Sequence, residues 1–332
     1  MSSTLERHAV AEGPAVPQRH AVGLGELRVG EGPAVVIRGR VSLRGRGHAD
    51  ASAVLRERHG PVVVVEPATA ADLPAVAELA DGVVVGASWT RDIPLVRAAA
   101  ALGLPVVVER RPGASLEEWL GLAGYCAAEG DGRVILCETG RPDLGLVRAA
   151  RSASGRPVLV DVSCDPGLSP AAVAAGADGL ILAVPEPVTS APSRPRAVVP
   201  EEAPYGVPDG AARGSGDGGQ AGADWRVAEE AVTLVGALLR DEAPTTLPAC
   251  RQAIDRVDAA LATLLERRAA LAGRVQQIKP VGGFAGRDAD RERAVVERMA
   301  VRAPRLGQAR LTPIMNAVIE AGLHLAEERA AH

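Results

Sequence analysis

The sequence predicts an α/β chain with an all-α end: a truncated (β/α) barrel of the TIM type, followed by a domain of three helices. Three observations predict it. Seven short aliphatic runs recur between residues 34 and 184, and helical stretches rich in Ala and Leu separate the later ones. Apolar residues then return at helical spacing through one long segment, Cys250 to Lys279. Between these two patterns lies a stretch, 190–223, rich in Pro, Gly and Ser and without a period. A length of 332 residues fits two domains better than one.

Taken in order, residues 1–22 read as a disordered tail, and MSSTLERHAVAEG has no apolar h-region. The strands are AVVIR (34–38), PVVVVE (61–66), GVVVG (82–86), PVVVE (105–109), RVILCE (133–138), PVLVDV (157–162) and GLILAV (179–184). Continuous apolar strands alternating with helices mean a parallel sheet covered on both faces. Seven such units are one short of the eight in a complete barrel, and the pattern leaves open whether the barrel closes. The 190–223 stretch reads as a flexible excursion. A helix over Trp225–Asp241 and a short EAPTT linker follow. The expected domains are therefore 23–242 for the barrel and 246–330 for the helices.

Composition narrows the function classes. Hydrophobic residues make up 47% of the chain and aromatics only 2%, so aliphatic side chains must build the core. Cys126, Cys137, Cys164 and Cys250 show no CxxC spacing, which suits a reducing compartment. No apolar run approaches membrane-spanning length, and the chain reads as cytoplasmic with no membrane partner. Residues 246–332 carry a formal charge balance of +4 and the remainder −8. There is no basic run and almost no aromatic platform, which argues against nucleic acid.

The chain contains one lysine, Lys279, against 36 arginines. A sequence that uses Arg almost everywhere and keeps one Lys suggests a place where a compact ammonium must meet one oxygen. The segment holding it carries Ile254, Val257, Leu261, Leu264, Leu265, Leu271, Ala272, Val275 and Ile278 on one broad stripe. A helix of this length runs roughly 45 Å. Arg268 lies 11 residues before Lys279, so the two point within about 20° of each other. Both sit in or beside the apolar stripe, where an unpaired charge is costly. Arg251 is about 100° away around the helix, a direction that suits the pocket of a neighbouring copy. After a glycine-containing loop (280–286), Asp288, Arg291 and Glu292 share one helical face, with Asp288 near an N-cap position. A third helix, Thr312–Arg329, carries Ile314, Val318, Ile319, Leu323 and Leu325. Guanidinium forks and one ammonium over an apolar surface make a pocket for a small dianion.

The run RQAIDRVDAALATLLERRAALAGRVQQIK followed by RDADRERAVVERM resembles the all-helical class of chorismate mutase over residues 247–330. The resemblance implies an intertwined dimer of three-helix domains that rearranges chorismate to prephenate without cofactor or metal. It implies that Arg251 binds a substrate carboxylate in the partner's site and that Arg268 binds the other carboxylate. Lys279 would contact the ether oxygen of the breaking bond. Glu292 would hold the ring hydroxyl, with Asp288 and Arg291 completing that wall. Lys279, Arg268 and Glu292 are thus the expected catalytic residues. On the last helix the family carries a Ser and, four residues later, a Gln or Glu that shares the ether oxygen with the lysine. Here those positions are Gly322 and Ala326. Losing a donor aimed at developing charge costs on the order of a hundredfold in rate. Glu327 or Glu328 would take the role if the helix were shifted by one residue.

Residues 24–240 resemble 3-deoxy-7-phosphoheptulonate (DAHP) synthase, through GPAVVIRGRVS, ATAADLPAVAELADGVVVGA, LPVVVERRPGASLEEWLGLAGYCAAEGDGRVILCETG and LVDVS. The positions that the resemblance makes catalytic have changed. The metal-binding Cys, His and Glu are Val41, Cys164 and Ala183, and no Asp matches the fourth ligand. The phosphoenolpyruvate-binding Lys is Glu109, and two arginines are Ser88 and Thr139, while Glu66, Arg110, Glu138 and Asp161 remain. One ligand cannot hold a divalent metal, and a site for phosphorylated substrates needs its cations. The expectation is a chorismate mutase carrying a barrel without synthase activity. Two alternatives stand beside it. One is a pseudoenzyme that binds chorismate or prephenate and regulates a partner DAHP synthase. The other is an isochorismate-pyruvate lyase built on the same helices.

Overall fold

The structure is a computed structural model that describes residues 19–45, 50–57, 60–183, 217–240, 242–279 and 281–331. The chain divides into two compact units between Ala253 and Ile254. That division falls inside a long helix rather than in the EAPTT linker ahead of it.

In the first unit, β1 (Val22–Leu24) and β2 (Leu27–Val29) form an antiparallel hairpin that turns through Gly25 at a φ of 54°. The sequence reading did not anticipate it, because strands of three residues are too short to show a period. The expected tail of 1–22 therefore ends in structure: Val22 is buried in β1, while residues 1–18 lie outside the described residues.

The seven expected strands all form: β3 (Val35–Ser42), β4 (Val63–Glu66), β5 (Gly82–Val85), β6 (Val106–Glu109), β7 (Val134–Glu138), β8 (Val158–Asp161) and β9 (Gly179–Ala183). Each pairs in parallel with the next, and β9 pairs with β3, so the barrel closes with seven strands. β3 is the longest strand. Its N-terminal half pairs with β9 and its C-terminal half with β4, with a register shift between Ile37 and Arg40. That strand thus absorbs the stagger that closure demands. Gly39 permits it, since a Cβ there would meet the Val62 carbonyl oxygen at 1.9 Å.

Side chains alternate along every strand. Ile37, Val64, Val84, Val107, Ile135, Leu159 and Ile181 fill the interior, and Leu24 and Val29 of the hairpin plug its N-terminal end. The outward set, including Val83, Val108, Leu136 and Val160, packs under α1 (Ala51–Arg56), α2 (Leu73–Leu79), α3 (Ile93–Ala100), α4 (Leu116–Glu129), α5 (Leu144–Ser154) and α6 (Ser169–Ala174). The helices start at legible signals. Ser115 and Glu118 form a capping box on α4, and Asp143 caps α5, which ends at Gly155 with a φ of 66°.

The excursion expected over 190–223 falls mainly on residues outside the described set. Its end differs from expectation, because α7 (Asp217–Glu230) begins before Trp225 and runs through a π turn (Ala231–Val235) into α8 (Gly236–Leu239). Trp225 lies beneath the Arg38 guanidinium at 3.0 Å, tying α7 to β3. Arg240 closes the unit at the N-terminal end of the barrel, just ahead of β3 and β9. It reaches Asp178 at 2.9 Å and the carbonyls of Ala177 and Gly32 at 2.8 and 3.1 Å.

The second unit contains the greater part of α9 (Leu247–Ile278), then α10 (Ala289–Arg302) and α11 (Gly307–Ala331). Asp288 is the N-cap of α10, its carboxylate accepting from the Arg291 amide at 3.0 Å. Val296, Leu311 and Met315 form a small core. Most of the α9 stripe is uncovered: Ile254, Val257, Leu261, Leu264, Leu271 and Val275 are 47–58% exposed. Within the described residues, no helix is long and apolar enough to cross a membrane.

Candidate functional site

Charge gathers where the barrel strands end. Glu66, Glu109 and Asp161 are the last residues of β4, β6 and β8, and Arg40 lies near the end of β3. Alternation turns the three carboxylates inward, because Val64, Val107 and Leu159, two residues earlier, are interior. Arg40 is ion-paired with Glu109 and lies 3.6 Å from Glu66 and 3.8 Å from Asp161. Glu66 also accepts from Ser42 Oγ at 2.8 Å and Trp89 Nε1 at 3.1 Å, and Glu109 accepts from the Ala87 amide at 2.9 Å. Gly86 makes room for this layer, since a Cβ there would sit 1.9 Å from the Glu66 carboxylate. Beside the layer, Arg110 grips both oxygens of Glu138 at 2.6 Å each.

Buried charges persist only when paired and hydrogen-bonded, and every carboxylate in this layer is. Burial pushes the Glu109 carboxyl above its ordinary range, although Arg40 pulls it back. For Arg40, burial pulls the guanidinium down, but Glu109 and Asp161 together outweigh it and the net shift is upward. Arg40 and Arg110 are therefore committed to carboxylates of the protein itself. The residues do not fit a divalent metal either. Val41 and Ala183 offer no donor, Cys164 is exposed, and the described residues contain no cluster of three metal-ligating side chains.

The helical unit holds a different arrangement. α9, the loop after it, α10 and α11 enclose a cavity of about 270 Å³. Five of the six expected site residues line it: Arg268, Lys279, Asp288, Arg291 and Glu292. Leu271, Val275 and Leu323 supply apolar wall. Lys279 Nζ donates to the Gly286 carbonyl at 2.9 Å, and Arg268 reaches the Val318 carbonyl at 3.4 Å. No described carboxylate lies within ion-pair distance of Arg268, Lys279 or Arg291. Asp288 both caps α10 and lines the cavity, so its capping role and its place at the site coexist.

Arg251 is not among the lining residues. It precedes Arg268 by 17 positions, about 26 Å of helical rise. Gly322 lines the cavity and presents no donor, while Ala326 does not line it. Neither suggested substitute, Glu327 or Glu328, lines it, and Glu327 faces the loop instead. A Cβ on Gly283 would lie 3.0 Å from its carboxylate oxygen.

Two polar lining residues escaped the sequence reading. Arg287 donates to both oxygens of Glu292, at 3.0 and 2.7 Å, and to Glu320 at 3.3 Å. Gln276 accepts from the Gly283 amide at 2.8 Å. Gln276 was findable, because it lies three residues before Lys279 on the same helix and so shares its face. Arg287 belongs to the loop, and loop side chains carry no periodic signal.

The two regions match two families of known proteins. Residues 38–187 match the model of the DAHP synthetase I family, and residues 250–327 match that of chorismate mutase type II. A curated relative, the phospho-2-dehydro-3-deoxyheptonate aldolase of Thermotoga maritima, is 36% identical over 149 residues. That match covers 40% of this chain and 44% of the relative, so the chain spans less than half of the relative's length. Two solved structures from Thermotoga maritima are similar at 27% identity, each over 52% of this chain. One is a truncated 3-deoxy-D-arabino-heptulosonate 7-phosphate synthase, 83% of which is covered, with a TM-score of 0.43. The other is a phospho-2-dehydro-3-deoxyheptonate aldolase, 66% covered, with a TM-score of 0.45. The chain is thus a seven-stranded parallel barrel of the DAHP synthase type followed by a helical domain of the chorismate mutase type. It is a fusion of a DAHP synthetase I domain with a chorismate mutase type II domain.

Proposed function

We propose that the helical domain is a working chorismate mutase and that the barrel carries no synthase activity. The observation that carries the first half is the cavity where Arg268, Lys279 and Arg291 meet with no carboxylate paired to them. Chorismate is a dianion with an ether linkage. Its rearrangement breaks the ether C–O bond as a C–C bond forms, so the product is an isomer and no co-reactant is needed. Charge develops on the ether oxygen as that bond opens, and a donor already aimed at it lowers the barrier most. Lys279 is assigned that role. Arg268 holds one carboxylate, and Glu292 accepts from the ring hydroxyl. Asp288 and Arg291 complete the same wall.

The second carboxylate falls to Arg251 of another copy. The exposed stripe on α9 supports that dimer, since a half-exposed row of six aliphatic residues is an unmade interface. The barrel reading rests on Arg40 and Arg110, whose guanidiniums are held by Glu109 and Glu138 where a phosphorylated substrate would need them free. A barrel of this kind serves as scaffold or as a docking surface, for which a DAHP synthase is the proposed partner.

The test is incubation of the purified protein with chorismate, without added metal, and identification of the product. Prephenate is the expected result. Chorismate bound in a calorimeter but not converted would replace the mutase with a binding protein. Pyruvate from isochorismate, with chorismate untouched, would replace it with a lyase.

A further inference from the structure

Three of the four cationic side chains that line the helical cavity already have a partner. Lys279 is drawn to the Gly286 carbonyl and Arg268 to that of Val318, while Arg287 is spent on Glu292 and Glu320. The last helix faces the cavity with Gly322, Ile319 and Leu323, none of which carries a side-chain donor. One neutral donor remains. Gln276 is half-buried, lines the cavity one turn before Lys279, and is held by a single hydrogen bond. That bond fixes which end of the carboxamide faces which way. The Gly283 backbone N–H can only donate, so the Gln276 oxygen must face the loop. The Nε2 group faces the other way, and among the described residues it has no partner.

We infer that Gln276 is a catalytic residue of this pocket, its Nε2 donating beside Lys279 Nζ to the oxygen that gains charge in the reaction. The inference rests on the mutase reading. Two donors on one helical face, three residues apart, converge on one oxygen with little reorganisation, because the Gly283 amide already orients one of them. A carboxamide adds a hydrogen bond without adding charge to a cavity that already holds Arg268, Lys279, Arg287 and Arg291 against Asp288 and Glu292.

Gln276→Glu separates this role from a merely structural one. A carboxylate still accepts from the Gly283 amide, so the loop stays anchored, but it cannot donate. The charged groups around it are Arg268 and Lys279 on α9, Arg287 and Asp288 beside α10, Arg291 and Glu292 on α10, and Glu327 on α11 near Gly283. At pH 8 kcat is expected to fall by on the order of a hundredfold with KM little changed. It should recover as the pH is lowered and the introduced carboxyl takes up a proton, while wild type shows no such acid limb. Gln276→Met, which removes both functions, should lose kcat at every pH. Wild-type kcat for Gln276→Glu across the whole range would overturn the inference. The mutase reading is scored separately in the same assay: wild type that turns over and Lys279→Ala that does not keep that reading, whatever Gln276 does. Wild type without turnover removes both.

Discussion

The barrel mouth and the helical cavity are built from the same side chains, arginines and carboxylates on an aliphatic frame, yet they are in opposite electrical states. In the mouth, Arg40 meets three carboxylates that are each at most 8% exposed, and Arg110 meets both oxygens of Glu138. In the cavity, Arg268, Lys279 and Arg291 have no described carboxylate within reach. A guanidinium already neutralised in a low-dielectric site has little left to offer an incoming anion, whereas an unpaired one beside an open cavity has most of its interaction still to make. The difference teaches that a count of cations does not find a binding site. What matters is which cations the fold leaves without an internal partner.

That contrast can be broken or sharpened by measurement. The largest effect is expected at Lys279. Lys279→Ala should lower chorismate turnover by at least about a hundredfold, with circular dichroism unchanged; activity within a few-fold of wild type would place the reacting oxygen elsewhere. Next comes the mouth. Arg40→Met leaves Glu66, Glu109 and Asp161 buried without their shared cation, and should cost the barrel about 3–5 kcal/mol in denaturant unfolding. A loss under 1 kcal/mol would mean that the layer is not held by charge.

A smaller, non-additive effect is expected from Ala326→Gln, which returns a carboxamide to the position where the resembled family has one. It should raise kcat more in a Gln276→Met background than in wild type, because the two amides would serve one oxygen. Equal gains in both backgrounds would show that they act independently. The smallest effect is a pH trend at Glu109. Burial raises this carboxyl's pKa in the folded state, so the folded protein binds its proton more tightly than the unfolded chain does. Its contribution to stability therefore grows as pH falls through the folded value towards the unfolded one. The melting temperature of Glu109→Gln relative to wild type should be more favourable at pH 8 than at pH 5. The reverse slope would mean that Arg40, rather than burial, dominates this carboxyl.

Much of this molecule was legible before any coordinates. The seven strands were readable because a parallel strand covered on both faces is a continuous apolar run. Arg268 and Lys279 could be placed on one face from the helical period alone. The hairpin over 22–29 was not readable, nor was Arg287, because short strands and loop side chains leave no periodic trace. The absence of a lysine at Glu109 was visible in the sequence, but not that Arg40 from another strand would cross the barrel to neutralise it.

The sequence by itself determined the two architectures and the identity of each donor. Those are properties of local period and of residue type. Only the tertiary structure decided that seven strands suffice to close the barrel, through the register shift in β3. It alone decided which arginines are spent and which are free, and that a glutamine on α9 stands beside the lysine with its oxygen already tied. Those outcomes depend on which side chains from distant strands and helices come within hydrogen-bond distance, and pairing across the fold has no counterpart in the order of residues along the chain.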